Sequence, residues 1–297
     1  MNNLGLTHLY SGKVRDLYDV DAQHMLMVAS DRLSAFDVVM NEPIADKGRV
    51  LTGLTHYWVR EFGDVVPTAL VSCDPHVIND FVPGFLGHEE WHGRTMLVRK
   101  AEMLPLECIV RGRLAGQAYD EYVAKGTVHD MAVPTGMQLT DAFEQPLFTP
   151  STKAESGHDV NISLAAAADI VGQELLDQAS ALCLDLFRRA SEKLLSVGLV
   201  LADTKFELGF VDGSLVVCDE VLTPDSSRIW PADGVVSGET PPSFDKQPFR
   251  DWLATQPWDR TPPPPVVPQE IVDITSARYV SAYERVTARA LTDWYGA

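Results

Sequence analysis

The stretch LVLADTKFELGFVDGSLVVCDEVLTPDSSRIWPAD, Leu199–Asp233, is the one around which this chain is organised. It reads as two strands, Val200 to Phe210 and Ser214 to Leu222, joined at Asp212-Gly213. An Asp-Gly pair suits a type I′ turn, whose central residues both need φ > 0. Strand side chains alternate between faces, so Asp203, Lys205 and Glu207 project from one face and Phe206, Leu208 and Phe210 from the other. The second strand is apolar until Asp219-Glu220, level with the charged end of the first. A polar turn, Thr223 to Arg228, then delivers an Arg beside these carboxylates. Charges at the end of a buried strand need a partner, often a metal. Hard oxygen ligands from few protein positions suit Mg²⁺ held jointly with phosphates. The alternative is a solvated face with cross-strand salt bridges.

Composition narrows the function class. The chain has 297 residues, 45% of them hydrophobic, enough for a sizeable core in one large or two modest domains. Its net charge of −18 argues against binding to nucleic acid or an anionic membrane surface. A small anionic substrate then needs a local cluster of Arg and Lys. Cys73, Cys108, Cys183 and Cys218 form no CxxC pair and read as buried thiols of a reducing cytoplasm. The sequence shows no signal peptide and no apolar run of ~20 residues that could span a membrane.

Working outward toward the N-terminus, Tyr10 to Tyr18 (YSGKVRDLY) sets Gly12 beside Lys13 between strand-like residues. Such a turn can bring backbone close to a phosphate while Lys neutralises it, or it can be a plain hairpin turn with a surface Lys. His24 to Ser30 is a buried strand running into the polar loop Asp31 to Asp37 (DRLSAFD). Lys47 to Phe62 carries Leu51, Leu54, Trp58 and Phe62 at helical spacing. Ala69 to Cys73 and Arg94 to Lys100 are short strands, and Lys100 to Leu106 is a crossover interrupted by Pro105. The boundary between an N-terminal strand-rich lobe, 1–104, and a C-terminal lobe, 105–297, is expected there. Beyond it come a strand from Glu107 to Arg113, a short helix from Gly116 to Lys125 and a loop-rich stretch, 126–162. The longest helix is expected from Ala168 to Val197, its buried stripe Ile170, Leu175, Leu182, Leu186, Ala190 and Leu194, with Gly198 after its end. After the hairpin come a short helix around Asp245 to Trp252, a stiff Pro262–Pro265 segment and a closing helix from about Pro268 to Trp294.

Three long motifs occur in order: MLPLECIVRGRLAG (Met103–Gly116), LADTKFELG (Leu201–Gly209) and SFDKQPFRDW (Ser243–Trp252). With them the chain, over essentially its whole length, resembles the SAICAR synthetases of de novo purine synthesis. The resemblance implies an α+β, two-lobed fold related to protein-kinase and ATP-grasp lobes, with ATP in the cleft between lobes. It implies a ligase that joins L-aspartate to a carboxyaminoimidazole ribonucleotide (CAIR) through an acyl phosphate, giving SAICAR, ADP and phosphate. ATP and Mg²⁺ are the implied cofactors and small molecules the implied partners, with a monomer or homodimer in the cytoplasm.

Carried onto this sequence, the resemblance puts Lys13, Arg15 and Lys153 near ATP phosphates and the backbone of Glu102, Met103 and Leu104 at the adenine edge. Glu207 and Asp219 would hold Mg²⁺. Ser34, Asp37, Arg111, Gln117, Asp203, Lys205, Arg228, Lys246 and Arg250 would line the ribonucleotide site, with Asp203, Lys205 and Lys153 closest to the chemistry. The chain departs from the family pattern at Gln117, where Ser is usual, and at Leu208, where Phe is usual. A strict two-residue turn pairs Val211 with Ser214 and sends Glu207 and Asp219 to opposite faces. A three-residue loop, or a bulge near Gly209 or Gly213, is therefore expected to unite this metal pair. Two rivals keep the same residues: a small-molecule kinase that stops at phosphoryl transfer, and a nucleotide-binding regulatory module without catalysis.

Overall fold

The computed structural model describes residues 4–35, 38–63, 66–153, 160–244 and 247–295. A five-stranded antiparallel sheet is drawn from the first hundred residues, in the order Thr7–Ser11, Arg15–Asp19, His24–Ala29, Thr95–Arg99, Leu70–Ser72. Helix Lys47–Phe62 buries Leu51, Leu54, Trp58 and Phe62, the stripe its spacing predicts.

The second sheet has seven strands and is built around Leu199–Val211. That strand pairs with Leu106–Arg113, Ser214–Cys218, Ser227–Pro231 and the short crossover strand Glu102–Met103. Its thirteen residues are long enough to take different neighbours along each edge. The stretch 126–162 holds a strand that its composition hides: Ala142–Phe148 pairs with Leu106–Arg113. Pro146 lies where the register shifts between Ala142 and Leu147, the place a sheet tolerates proline.

The long helix is two helices, Leu164–Val171 and Gln173–Ser196, because Gly172 takes φ 85 between them. The break moves the buried stripe to Leu176, Ala179, Cys183, Leu186, Ala190 and Leu194, and leaves Ile170 exposed. Gly198 at φ 73 follows the second helix, as expected. The closing helix, Gln269–Thr287, lies against Lys47–Phe62, where Gly53 makes room for the Tyr283 ring: a Cβ there would be 2.8 Å from it. One apolar cluster runs through residues of both sheets and all these helices.

The hairpin departs from expectation at its far end. Its register is strict from Val211 opposite Ser214 to Glu207 opposite Cys218, with neither a bulge nor a three-residue loop. The second strand stops at Cys218 rather than Leu222, and Asp219 turns left-handed at φ 55. Once the ladder has ended, strand alternation no longer dictates where Asp219 points.

Candidate active site

The strand face bearing Asp203, Lys205 and Glu207 serves two cavities. The first, about 300 Å³, lies between the sheets. Its walls include Leu17, Met25, Met27, Ala69, Val98 and Met103, and Lys13, Arg15, Lys153, Glu207 and Asp219 also line it. Arg15 reaches across to Asp219 at 3.0 Å and Glu220 at 2.7 Å. Burial opposes the charge on Arg15, but the two carboxylates outweigh it and raise its pKa. The Asp219 carboxyl is pushed up by burial and by Glu220 and Glu207, with Arg15 opposing. Its Oδ1 is the atom 3.0 Å from Arg15 Nη1, and Arg15 donates a hydrogen bond to Oδ2 at 3.3 Å. Glu207 contacts Lys153; burial raises its pKa, while Lys205 and Lys153 more than reverse that. Among the described residues no three acidic, His or Cys side chains cluster as a metal site. Two carboxylates at the polar end of an apolar cleft fit Mg²⁺, which takes few protein ligands and shares itself with phosphates.

The second cavity, about 180 Å³, is lined by Arg111, Gln117, Asp203, Lys205, Ser226 and Arg228 among others. Asp203 stands opposite Arg111 on one neighbouring strand and Arg228 on the other. Its Oδ2 accepts from both guanidiniums, at 3.1 and 2.5 Å. Arg111 also donates to Thr149 Oγ1 at 3.1 Å. Burial lowers the Arg111 pKa and Arg228 adds to this, while Asp203 opposes. Lys205 Nζ lies 2.6 Å from Glu107 and 3.5 Å from Glu207. Its burial disfavours the charge, and the two glutamates outweigh that and raise its pKa. Arg111, Lys205 and Arg228 thus line this cavity with Asp203, while Glu107 and Glu207 pair with Lys205 from outside its lining. Within a chain of net charge −18 this is a local cluster of Arg and Lys, the kind an anionic substrate needs.

A SAICAR synthetase family model matches residues 8–265. The chain belongs to the SAICAR synthetase family. A phosphoribosylaminoimidazole-succinocarboxamide synthase from Saccharopolyspora erythraea is 49% identical over 291 residues, covering 96% of this chain and 95% of that one. One from Syntrophotalea carbinolica is 49% identical over 278 residues, 93% of each chain. A solved structure described as SAICAR-synthase from Saccharomyces cerevisiae complexed with SAICAR superposes with a TM-score of 0.89 at 40% identity, over 98% of this chain and 97% of that one.

Against the SAICAR synthetase pattern, Lys13, Arg15, Lys153, Glu207 and Asp219 gather at the first cavity, and Arg111, Gln117, Asp203, Lys205 and Arg228 at the second. Ser34, on the short strand Ser34–Ala35, and Arg250, on helix Gln247–Ala254, line neither. Asp37 and Lys246 lie outside the described residues. At the crossover, Leu104 N–H donates to Leu208 C=O at 2.9 Å and is spent inside the protein. Met103 faces Gly209 across the ladder, and alternation turns its own N–H and C=O away from that strand. Two groups escaped sequence reasoning. Glu107, buried in the strand Leu106–Arg113, clamps Lys205; a lone Glu within an apolar strand was the available signal. Lys47, Asp225 and Tyr279, far apart in sequence, meet in the core with no local signal at all.

Proposed function

We infer that this chain ligates L-aspartate to CAIR at the expense of ATP, releasing SAICAR, ADP and phosphate. The observation that carries the reading is the pair of cavities along one strand face, an apolar-walled cleft with a charged end and a cationic pocket, joined through Lys205 and Glu207. ATP fits the first, with adenine against Met25, Met27, Ala69 and Val98 and its edge at the Met103 backbone. Its phosphates then meet Lys13, Arg15 and Lys153. Glu207 and Asp219 would hold Mg²⁺, which neutralises phosphate charge when bound.

The ribonucleotide fits the second cavity, where Arg111 and Arg228 offer charge-assisted donors fixed by Asp203. An oxygen of the imidazole carboxylate attacks the γ-phosphorus, and the bond to ADP breaks. The aspartate amine then attacks the acyl carbon and loses a proton, and phosphate leaves. Lys205, kept protonated between Glu107 and Glu207, stabilises negative charge as it develops on the carboxylate oxygens. Asp203 borders the same pocket and keeps both guanidiniums turned toward it. Four free cysteines suit the reducing cytoplasm in which we place the enzyme.

Purified protein given ATP, Mg²⁺ and CAIR should release ADP at full rate only after L-aspartate is added. Sustained turnover without aspartate, to a stable phosphorylated ribonucleotide, would replace this reading with a kinase. Family membership favours ligation.

A further inference from the structure

A buried ionic knot lies beneath the loop that carries Ser226 and Arg228. Lys47 Nζ donates to Asp225 Oδ2 at 2.6 Å, and the Tyr279 hydroxyl donates to Asp225 Oδ1. The Lys47 side chain is 0% exposed and that of Asp225 6%; Tyr279 is also fully buried. The ammonium sits 5.5 Å from the centroid of the Tyr279 ring. Taking a lysine and a carboxylate out of water is costly even when they pair, so an apolar trio would serve the core at least as well. None of the three lines either cavity. A costly buried pair outside both cavities points to a geometric task.

The loop's own bonding says what that task is. Asp225 N–H donates to Thr223 Oγ1 and Ser226 N–H to Thr223 C=O, both at 3.2 Å, so residues 223–226 form one tight turn. Ser226 C=O accepts from Lys205 N–H at 2.9 Å, and the Ser227 and Thr204 hydroxyls meet at 2.7 Å. Two residues on, Arg228 reaches Asp203. The Arg228 guanidinium lies so near the backbone that a Cβ on Gly116 would be 2.3 Å from it. The turn is held at one end by the central strand and at Asp225 by groups from two helices, Lys47–Phe62 and Gln269–Thr287.

We propose that Lys47 and Tyr279 are positioning residues that act through Asp225 to hold the 223–228 loop, and with it Arg228, in register with the ribonucleotide pocket. The proposal rests on the reading of the Arg111–Arg228 cavity as the ribonucleotide site. It extends that site to two helices whose residues line neither cavity.

The test is a double-mutant cycle read by calorimetry with CAIR and, separately, Mg·ATP. Tyr279→Phe removes one hydroxyl and keeps the ring. It should weaken CAIR about fivefold, the scale of one neutral hydrogen bond, and leave the ATP Kd within about twofold. In an Arg228→Ala background the same substitution should change CAIR affinity much less, because the group it positions is gone. Asp225→Asn, nearly isosteric, should weaken CAIR more strongly, which covers a Tyr279 variant that folds poorly; because the Asp225 charge also bears on Arg15, the ATP control is read on Tyr279→Phe. Equal losses for both ligands, an unchanged CAIR Kd with a lowered Tm, or full additivity with Arg228→Ala would reduce the knot to a structural role and overturn the proposal. If Arg228→Ala itself leaves CAIR affinity unchanged, the pocket assignment fails and the proposal with it. An effective Arg228→Ala beside a silent Tyr279→Phe and Asp225→Asn sinks the positioning role alone.

Discussion

Gln117 opens the helix Gln117–Lys125 and lines the cationic pocket. A helix start presents unpaired N–H groups to an anion, so backbone can hold a phosphate there and the side chain supplements it. Gln117→Ala should therefore cost about 1 kcal/mol in CAIR affinity, one amide hydrogen bond. Arg111→Ala should cost about 2–3 kcal/mol in the same titration, because it removes a charge-assisted donor. It should also destabilise the fold by roughly 3 kcal/mol, since Asp203 stays buried with one of its two guanidiniums lost. Urea unfolding separates the two losses. An unchanged Kd for Gln117→Ala would mean that its amide points away from the ligand. At the opposite cavity, Lys13→Ala should weaken ATP and spare CAIR; equal loss of both, or of neither, removes Lys13 from the phosphates.

The hairpin is the element whose register matters most. Turn chemistry at Asp212-Gly213 predicts a two-residue turn, and the ladder keeps it, Asp212 at φ 51 and Gly213 at φ 78. The expectation of a bulge failed because it extended strand alternation through Asp219. Asp tolerates the left-handed region, and nothing in the neighbouring residues says that it uses it here. Gly209 is a second point of control: a Cβ there would lie 3.0 Å from Glu102 O and 3.1 Å from Ala101 Cβ. Gly209→Ala should push the crossover strand off the hairpin and shift the Met103 backbone. The ATP KM should rise several-fold with the CAIR KM unchanged. Equal KM values for wild type and variant would show that the crossover can absorb the extra methyl.

At the scale of the whole molecule, the two sheets share one apolar cluster and the closing helix locks onto the Lys47–Phe62 helix. The chain should therefore unfold in a single transition, with tryptophan fluorescence and far-UV circular dichroism coinciding in urea. Separate midpoints would mean that the lobes carry independent cores. Removing residues 266–297 takes Val272, Tyr279, Ala282, Tyr283 and Val286 out of the core and should abolish that transition. A truncated chain that still unfolds cooperatively would show that the closing helix is dispensable.

Local chemistry made the hairpin turn, the Lys47–Phe62 stripe and the alternating Asp203, Lys205 and Glu207 legible from residues alone, because each depends on neighbours within a few positions. Motif resemblance added the residues that gather at the two cavities. Three features depend on contacts between residues far apart in sequence. The Ala142–Phe148 strand needs the Leu106–Arg113 edge to pair with, as its own composition reads as loop. Asp219 joins Glu207 through a left-handed backbone beside Arg15, 204 residues away. Lys47 and Asp225, separated by 178 residues, could be buried as charges only because the fold brings them together, and pairing is what makes that burial tolerable.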